Sequence, residues 1–151
     1  MNQSFEEISN VLRKVEFDGV QLHGKENARL LQKLKESFGK LELWKTFLIE
    51  KDFNKTLLQQ YCNSADKFLF DGKIPGSGKT IIDTEKLHEV IKEAERLNMP
   101  YGIAGGINAD NIAKFKVSFP NAKFLDTASG IEKNGKFDVA IAKKLIEMFK
   151  K

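Results

Sequence analysis

Apolar positions along this chain follow two rhythms, a helical one and a short uninterrupted one, and the two take turns. Ser4-Phe5-Glu6-Glu7 spells a capping box, with the Ser4 hydroxyl accepting from the Glu7 amide and the Glu7 carboxylate reaching back. Phe5, Ile8, Val11 and Leu12 continue at helical spacing, which predicts an opening helix to about Lys14. Asp18-Gly19 marks a turn, and Val20-Gln21-Leu22-His23-Gly24 reads as a short strand running into a loop. A second helix is predicted from about Asn27 to Phe38, with Leu30, Leu31, Leu34 and Phe38 on one face and Gly39 just past its end. A second strand lies around Leu43-Trp44-Lys45-Thr46-Phe47, a helix follows near Asn54 to Tyr61, and Lys67-Phe68-Leu69-Phe70-Asp71 is a third strand.

The second half keeps the alternation. Thr84 begins a long helix through Leu97, striped by Leu87, Val90, Ile91, Ala94 and Leu97. Tyr101-Gly102-Ile103-Ala104-Gly105-Gly106 is the fourth strand, and a helix starts near Ala109-Asp110-Asn111. Lys123 to Asp126 is the fifth strand, and a last helix from about Asp138 to Lys150 buries Ala142, Leu145, Ile146 and Phe149. Strict alternation of short apolar strands with helices predicts parallel strands joined by right-handed crossovers. An open doubly wound sheet and a piece of an eight-stranded (βα) barrel both fit this α/β pattern. In either, chemistry gathers where strands end. His23, Asp71, Gly105-Gly106 and Ser129-Gly130 all sit at strand ends.

Composition narrows the classes. The chain has 151 residues, 41% hydrophobic and 30% charged, which suits one globular domain with a real core. No apolar run reaches the roughly 20 residues that span a bilayer. The N-terminus shows no secretory pattern, and one cysteine, Cys62, forms no internal disulfide; the expected location is the cytoplasm. A net charge of +4 from 25 basic and 21 acidic residues is spread along helical faces. Without a helix-turn-helix, zinc-ligand or aromatic RNA-binding signature, nucleic acid is not an expected partner.

Asp71 closes an apolar strand, where neighbours partly shield a carboxylate and suit it to donate a proton; capping the turn before Gly72 is the plainer role. Adjacent glycines at 105 and 106 let backbone N–H groups approach an anion, and Ser129-Gly130 offers a hydroxyl and further donors on the next strand. Two such turns on consecutive strands suggest one phosphate held between them; glycines needed only for turn geometry are the alternative. Gly76-Ser77-Gly78-Lys79-Thr80 nearly spells a nucleotide-binding P-loop, but Lys73 stands where the motif needs its first glycine. Trp44 reads as core and Cys62 as a structural thiol. No His, Cys or carboxylate cluster has metal-site spacing.

Taken in order, several segments resemble one family, phosphoribosylanthranilate isomerase. They are Val20-Gln21-Leu22-His23-Gly24 with Glu26, Leu69-Phe70-Asp71, Gly76-Ser77-Gly78-Lys79, Ile103-Ala104-Gly105-Gly106-Ile107-Asn108 with Asn111, and Asp126-Thr127-Ala128-Ser129-Gly130-Ile131-Glu132. The resemblance implies an eight-stranded barrel and a cofactor-free Amadori rearrangement of N-(5-phosphoribosyl)anthranilate in tryptophan biosynthesis. It implies Asp71 as general acid, Gly105, Gly106, Ser129 and Gly130 as phosphate-binding turns, and His23 near the substrate. The family's base cysteine and carboxylate-binding arginine belong to strands one to three. This sequence resembles strands four to eight, so a single-domain, incomplete barrel of five strands is expected. Its two open edges predict self-association or a complementing N-terminal fragment. A phosphate-binding fragment without catalysis is the other reading that follows.

Overall fold

The computed structural model describes residues 2–72 and 85–150. The near-P-loop at Gly76 to Thr80 and the predicted helix start at Thr84 lie outside the described residues. Helix α1 (Phe5–Leu12) is capped as expected: Ser4 Oγ accepts from the Glu7 amide, and the Ser4 amide donates to the Glu7 carboxylate. Then come β1 (Gly19–Leu22), α2 (Ala28–Ser37), β2 (Glu42–Leu48), a 3-10 helix (Lys55–Tyr61) and β3 (Lys67–Asp71). The second half holds α3 (Glu85–Arg96), β4 (Tyr101–Ala104), α4 (Ile112–Ser118), β5 (Phe124–Asp126), a 3-10 turn (Ser129–Ile131), the short hairpin β6–β7 (Glu132–Lys133 and Lys136–Phe137) and α5 (Val139–Lys150).

The five main strands form one parallel sheet in sequence order, β1-β2-β3-β4-β5, with β1 and β5 at its edges. That order is the half-barrel implied by the resemblance and excludes the doubly wound sheet that the alternation also allowed, since each crossover steps one strand to the same side.

Side-chain alternation sorts the two faces of the sheet. Phe47 packs on Tyr61 of the 3-10 helix at 5.4 Å and on Phe68 at 5.2 Å, and Phe70 packs on Tyr101 at 6.0 Å. These rings, with Ile103 and the α2 and α3 leucines, form the core between sheet and helices. The opposite, inner face carries Trp44, Thr46 and Leu48 of β2, Lys67, Leu69 and Asp71 of β3, Gly102 and Ala104 of β4, and Phe124 of β5. Trp44 and Phe124 sit three strands apart, about 14 Å at the usual spacing, yet their ring centroids lie 4.5 Å apart. The sheet therefore curls, and the two rings meet over Gly102, where an added Cβ would strike the Phe124 ring. Lys67 Nζ lies 4.9 Å from the Trp44 ring and pairs with Glu42 at 2.7 Å, sealing the lower end of the inner face.

Two expectations are corrected. Ile146 was expected to be buried but is 54% exposed. Only Leu145 of α5 is buried; Ile146 rims an open apolar groove of about 300 Å³ shared with Ile112, Leu125, Ile131 and Phe149. The helix after β4 begins at Ile112, because the Asn108 side chain accepts from the Asp110 and Asn111 amides and holds 108–111 as a turn. Among the described residues, no helix therefore starts directly after Gly105-Gly106.

Candidate active site

The upper rim of the inner face is set by strand register. Asp71 pairs with Leu48 on one side and Ala104 on the other, and Ala104 pairs with Asp126, so these four occupy one row at the C-terminal ends of β2 to β5. The row is tied by main-chain bonds beyond the strands: the Ile49 amide donates to Asp71 O at 2.8 Å and the Gly72 amide to Ala104 O at 3.4 Å. Asp71 keeps 16% side-chain exposure, a carboxylate mostly shielded yet reachable. His23, directly after β1, reaches over β2 and brings Nε2 to 3.7 Å from Asp71 Oδ2.

Gly105 and Gly106 follow Ala104 at once, with φ of 99° and 67°, the left-handed region that only glycine enters cheaply. Behind them Asn111 Nδ2 donates to Gly106 O at 2.9 Å, and Asn111 Oδ1 accepts from the Asn108 amide at 2.9 Å. The second turn locks onto the first. Thr127 Oγ1 donates to Ile107 O at 2.6 Å, and Gly130 packs so closely on Ile107 O that an added Cβ would overlap it. Ser129 lies exposed at the start of the 3-10 turn. Of the residues singled out from sequence, His23 and Asp71 thus meet directly, Gly105-Gly106 continue the strand beside Asp71, and Gly130 is joined to that turn through Ile107. Thr127 and Asn111 are the pieces that make this junction, and only their place in the quoted motifs signalled them.

A second set of residues, unmarked by any spacing in the sequence, lies behind His23. Lys45 Nζ is buried at 3% exposure and bonds to Leu22 O at 3.4 Å, Gly24 O at 2.7 Å and Glu26 Oε2 at 3.2 Å. Glu26 also accepts the Gly24 amide at 2.7 Å and the Asn2 amide at 2.8 Å. Burial alone would raise the Glu26 carboxyl, but the Asn2 and Gly24 amides and the Lys45 ammonium outweigh it and hold it below the usual carboxylate range. Burial pulls the Lys45 ammonium down.

Cys62 lies away from the rim, at the end of the 3-10 helix after β2, with Sγ donating to Leu58 O at 3.5 Å. Burial pushes its thiol up, which disfavours the thiolate.

Parallel strands, outer helices and a polar rim at the strands' C-terminal ends put this chain in the (βα)-barrel class, which carries its chemistry at that end. The family model for N-(5'phosphoribosyl)anthranilate (PRA) isomerase matches residues 1–148, and the chain belongs to that family. It is 33% identical to the N-(5'-phosphoribosyl)anthranilate isomerase of Geobacillus thermodenitrificans over 99% of this chain and 67% of that protein. With the Streptococcus mutans isomerase it shares 33% identity over 100% of the chain and 69% of the relative. Among solved structures, the Pyrococcus furiosus isomerase superposes with a TM-score of 0.75 at 22% identity, covering 97% of this chain and 69% of that one. A phosphoribosyl anthranilate isomerase in complex with reduced 1-(o-carboxyphenylamino)-1-deoxyribulose 5-phosphate superposes with a TM-score of 0.70 at 24% identity, covering 99% and 68%. The chain thus spans about two thirds of the length of these relatives.

Proposed function

We propose that the chain works in the isomerisation of N-(5'-phosphoribosyl)anthranilate, an Amadori rearrangement in tryptophan biosynthesis, in the cytoplasm and without a cofactor. The observation that carries this reading is Asp71, a shielded carboxylate held beside His23 in the strand row that leads directly into the fused glycine turns. In the proposed arrangement the substrate phosphate lies on the backbone of Gly105-Gly106 and Ser129-Gly130, where turn amides accept an anion without a helix end. Asp71 then protonates the ribose ring oxygen as the ring opens. His23 lines the site next to Asp71. The family match favours this over a phosphate-binding fragment without catalysis.

The step that follows removes a proton from the adjacent carbon, and the resemblance assigns its base to a cysteine on strands one to three, which no described rim residue of this chain matches. Cys62, on a 3-10 helix outside the sheet, does not fill that role. We infer that base and carboxylate clamp come from a complementing N-terminal segment, continuous with this chain or separate from it, that closes the barrel. The described residues form one core, which supports reading them as a single partial-barrel domain equivalent to strands four to eight. Free edges on β1 and β5 support the closure, as do exposed Val11, Val15 and Phe17 near one edge and the Ile146 groove near the other.

The test is reconstitution. The chain mixed with strands one to three of a relative is expected to turn over phosphoribosylanthranilate, and Asp71→Asn to abolish that turnover. Full activity in Asp71→Asn would overturn the assignment of the acid. A chain that self-associates and binds no N-terminal piece would overturn the closure.

A further inference from the structure

The structure assigns Glu26 and Lys45 a role in positioning: together they clamp the backbone on both sides of His23 and so set its separation from Asp71. This rests on the reading of His23 and Asp71 as the working pair of the site.

The geometry is specific to that short segment. Lys45 Nζ has three acceptors, and two of them, Leu22 O and Gly24 O, bracket His23 in the chain. Glu26 Oε2 takes the Gly24 amide at 2.7 Å, so Gly24 is bonded at both its N–H and its carbonyl. Glu26 is itself held from behind, by the Asn2 amide on Oε1 and by Tyr61 Oη donating to its carbonyl at 3.0 Å. A side chain at Gly24 would push on the clamp: an added Cβ would stand 2.6 Å from Glu26 Oε1 and closer still to Asn2 Oδ1. His23, by contrast, is 38% exposed at its side chain and projects from the clamped segment toward Asp71.

Stability alone does not account for the arrangement. A buried ion pair contributes little more than apolar side chains of the same volume would, because desolvating both charges offsets their attraction. What a fully bonded pair does provide is a fixed geometry for the groups it touches, and here those groups are the peptides flanking His23. Glu26 and Lys45 touch no reacting atom in the proposed scheme; they act through His23.

The chain has two histidines, so the ring Cε1–Hε1 region of a carbon–proton correlation spectrum reads His23 directly. His88, whose ring packs on Phe119 at 4.7 Å, serves as the internal control for folding. In the unsubstituted chain, Asp71→Asn is expected to move the His23 peak and leave His88 in place. In a background carrying both Glu26→Gln and Lys45→Met, which leaves no charge stranded in the core, Asp71→Asn is expected to leave the His23 peak unmoved. An equal movement in both backgrounds overturns the proposal. If the double variant loses the native His88 peak, amide exchange on the unsubstituted chain decides instead. Gly24 is expected to be protected to the level of the β2 amides, and exchange at open-loop rates overturns the clamp. Loss of the isomerase reading is a separate result: turnover that survives Asp71→Asn removes the function and leaves the spectroscopic outcome as it stands.

Discussion

His23 Nε2 lies 3.7 Å from Asp71 Oδ2 although β2 runs between the strands that carry them. The contact is possible because both side chains stand on the inner face, at the C-terminal ends of β1 and β3, where the sheet curls. A separation of 3.7 Å is longer than a hydrogen bond, so the imidazole sits beside the carboxylate without hydrogen bonding to it. In the reconstituted enzyme, Asp71→Asn should lower kcat by roughly 10²–10⁴-fold, the usual contribution of a positioned acid. His23→Gln should cost far less, on the order of tenfold, which corresponds to about 1.4 kcal/mol. Steady-state kinetics of the two variants checks the order. A His23 loss equal to that of Asp71 would make the imidazole as necessary to the step as the carboxylate and overturn its lesser role.

Gly130→Ala should damage phosphate binding while leaving the Asp71 row in place. The new methyl would overlap Ile107 O, which is backbone, and would lie 2.6 Å from Thr127 Oγ1, so the turn itself has to move off Gly105-Gly106. The expected outcome in the reconstituted enzyme is a rise in KM well above the fall in kcat. Titration of the chain with ribose 5-phosphate should show the same weakening. Unchanged affinity would mean that the phosphate does not sit between the two turns.

Much of this was legible along the chain, for particular physical reasons. Lys67 to Asp71 was readable as a strand, because a short apolar run closed by a carboxylate and Gly72 fits few other elements; Asp71 by itself read equally as a turn cap, and only the resemblance weighted it toward the acid. Adjacent glycines at 105 and 106 were readable as a turn, and they take φ of 99° and 67°. The Glu26–Lys45 pair was not legible, because it joins two residues from different βα units and a lysine inside a strand reads as solvent-facing. Ile146 was misjudged because helical spacing tells which residues share a stripe, not whether anything covers it. The start of α4 was placed early because Asn108 and Asn111, read as helix-start residues, spend their side chains on a turn instead.

Thr46→Val should stabilise the chain. Thr46 is 3% exposed on the inner face, and its hydroxyl has no hydrogen-bond partner among the described residues. A buried hydroxyl left unpaired costs about 1–3 kcal/mol, and valine keeps the shape while removing the polar atom. Urea unfolding followed by circular dichroism should place the variant about 1 kcal/mol above the parent. A variant less stable than the parent would show that Thr46 has a polar partner after all.

Alkaline titration offers a test of the packing on the outer face. The chain has two tyrosines, both buried. Burial, then the nearby Glu26 charge, pushes the Tyr61 phenol up. Burial, then the hydrogen bond to Glu95 and its charge, pushes the Tyr101 phenol higher still; its hydroxyl donates to Glu95 Oε1 at 3.0 Å. Both folded values lie above the unfolded one, so the folded chain holds protons that the unfolded chain releases. The stability this contributes is complete below the ordinary phenol value of about 10 and is lost as the pH rises through the folded values. Tyrosinate absorbance should therefore stay flat through the ordinary phenol range and then appear together with loss of helical circular dichroism, in one cooperative step. Tyr101→Phe should reduce the amplitude of that step to the signal of Tyr61 alone. Tyrosinate forming near the ordinary phenol value while the helical signal persists would mean that one ring is open to solvent, and Tyr101→Phe identifies which.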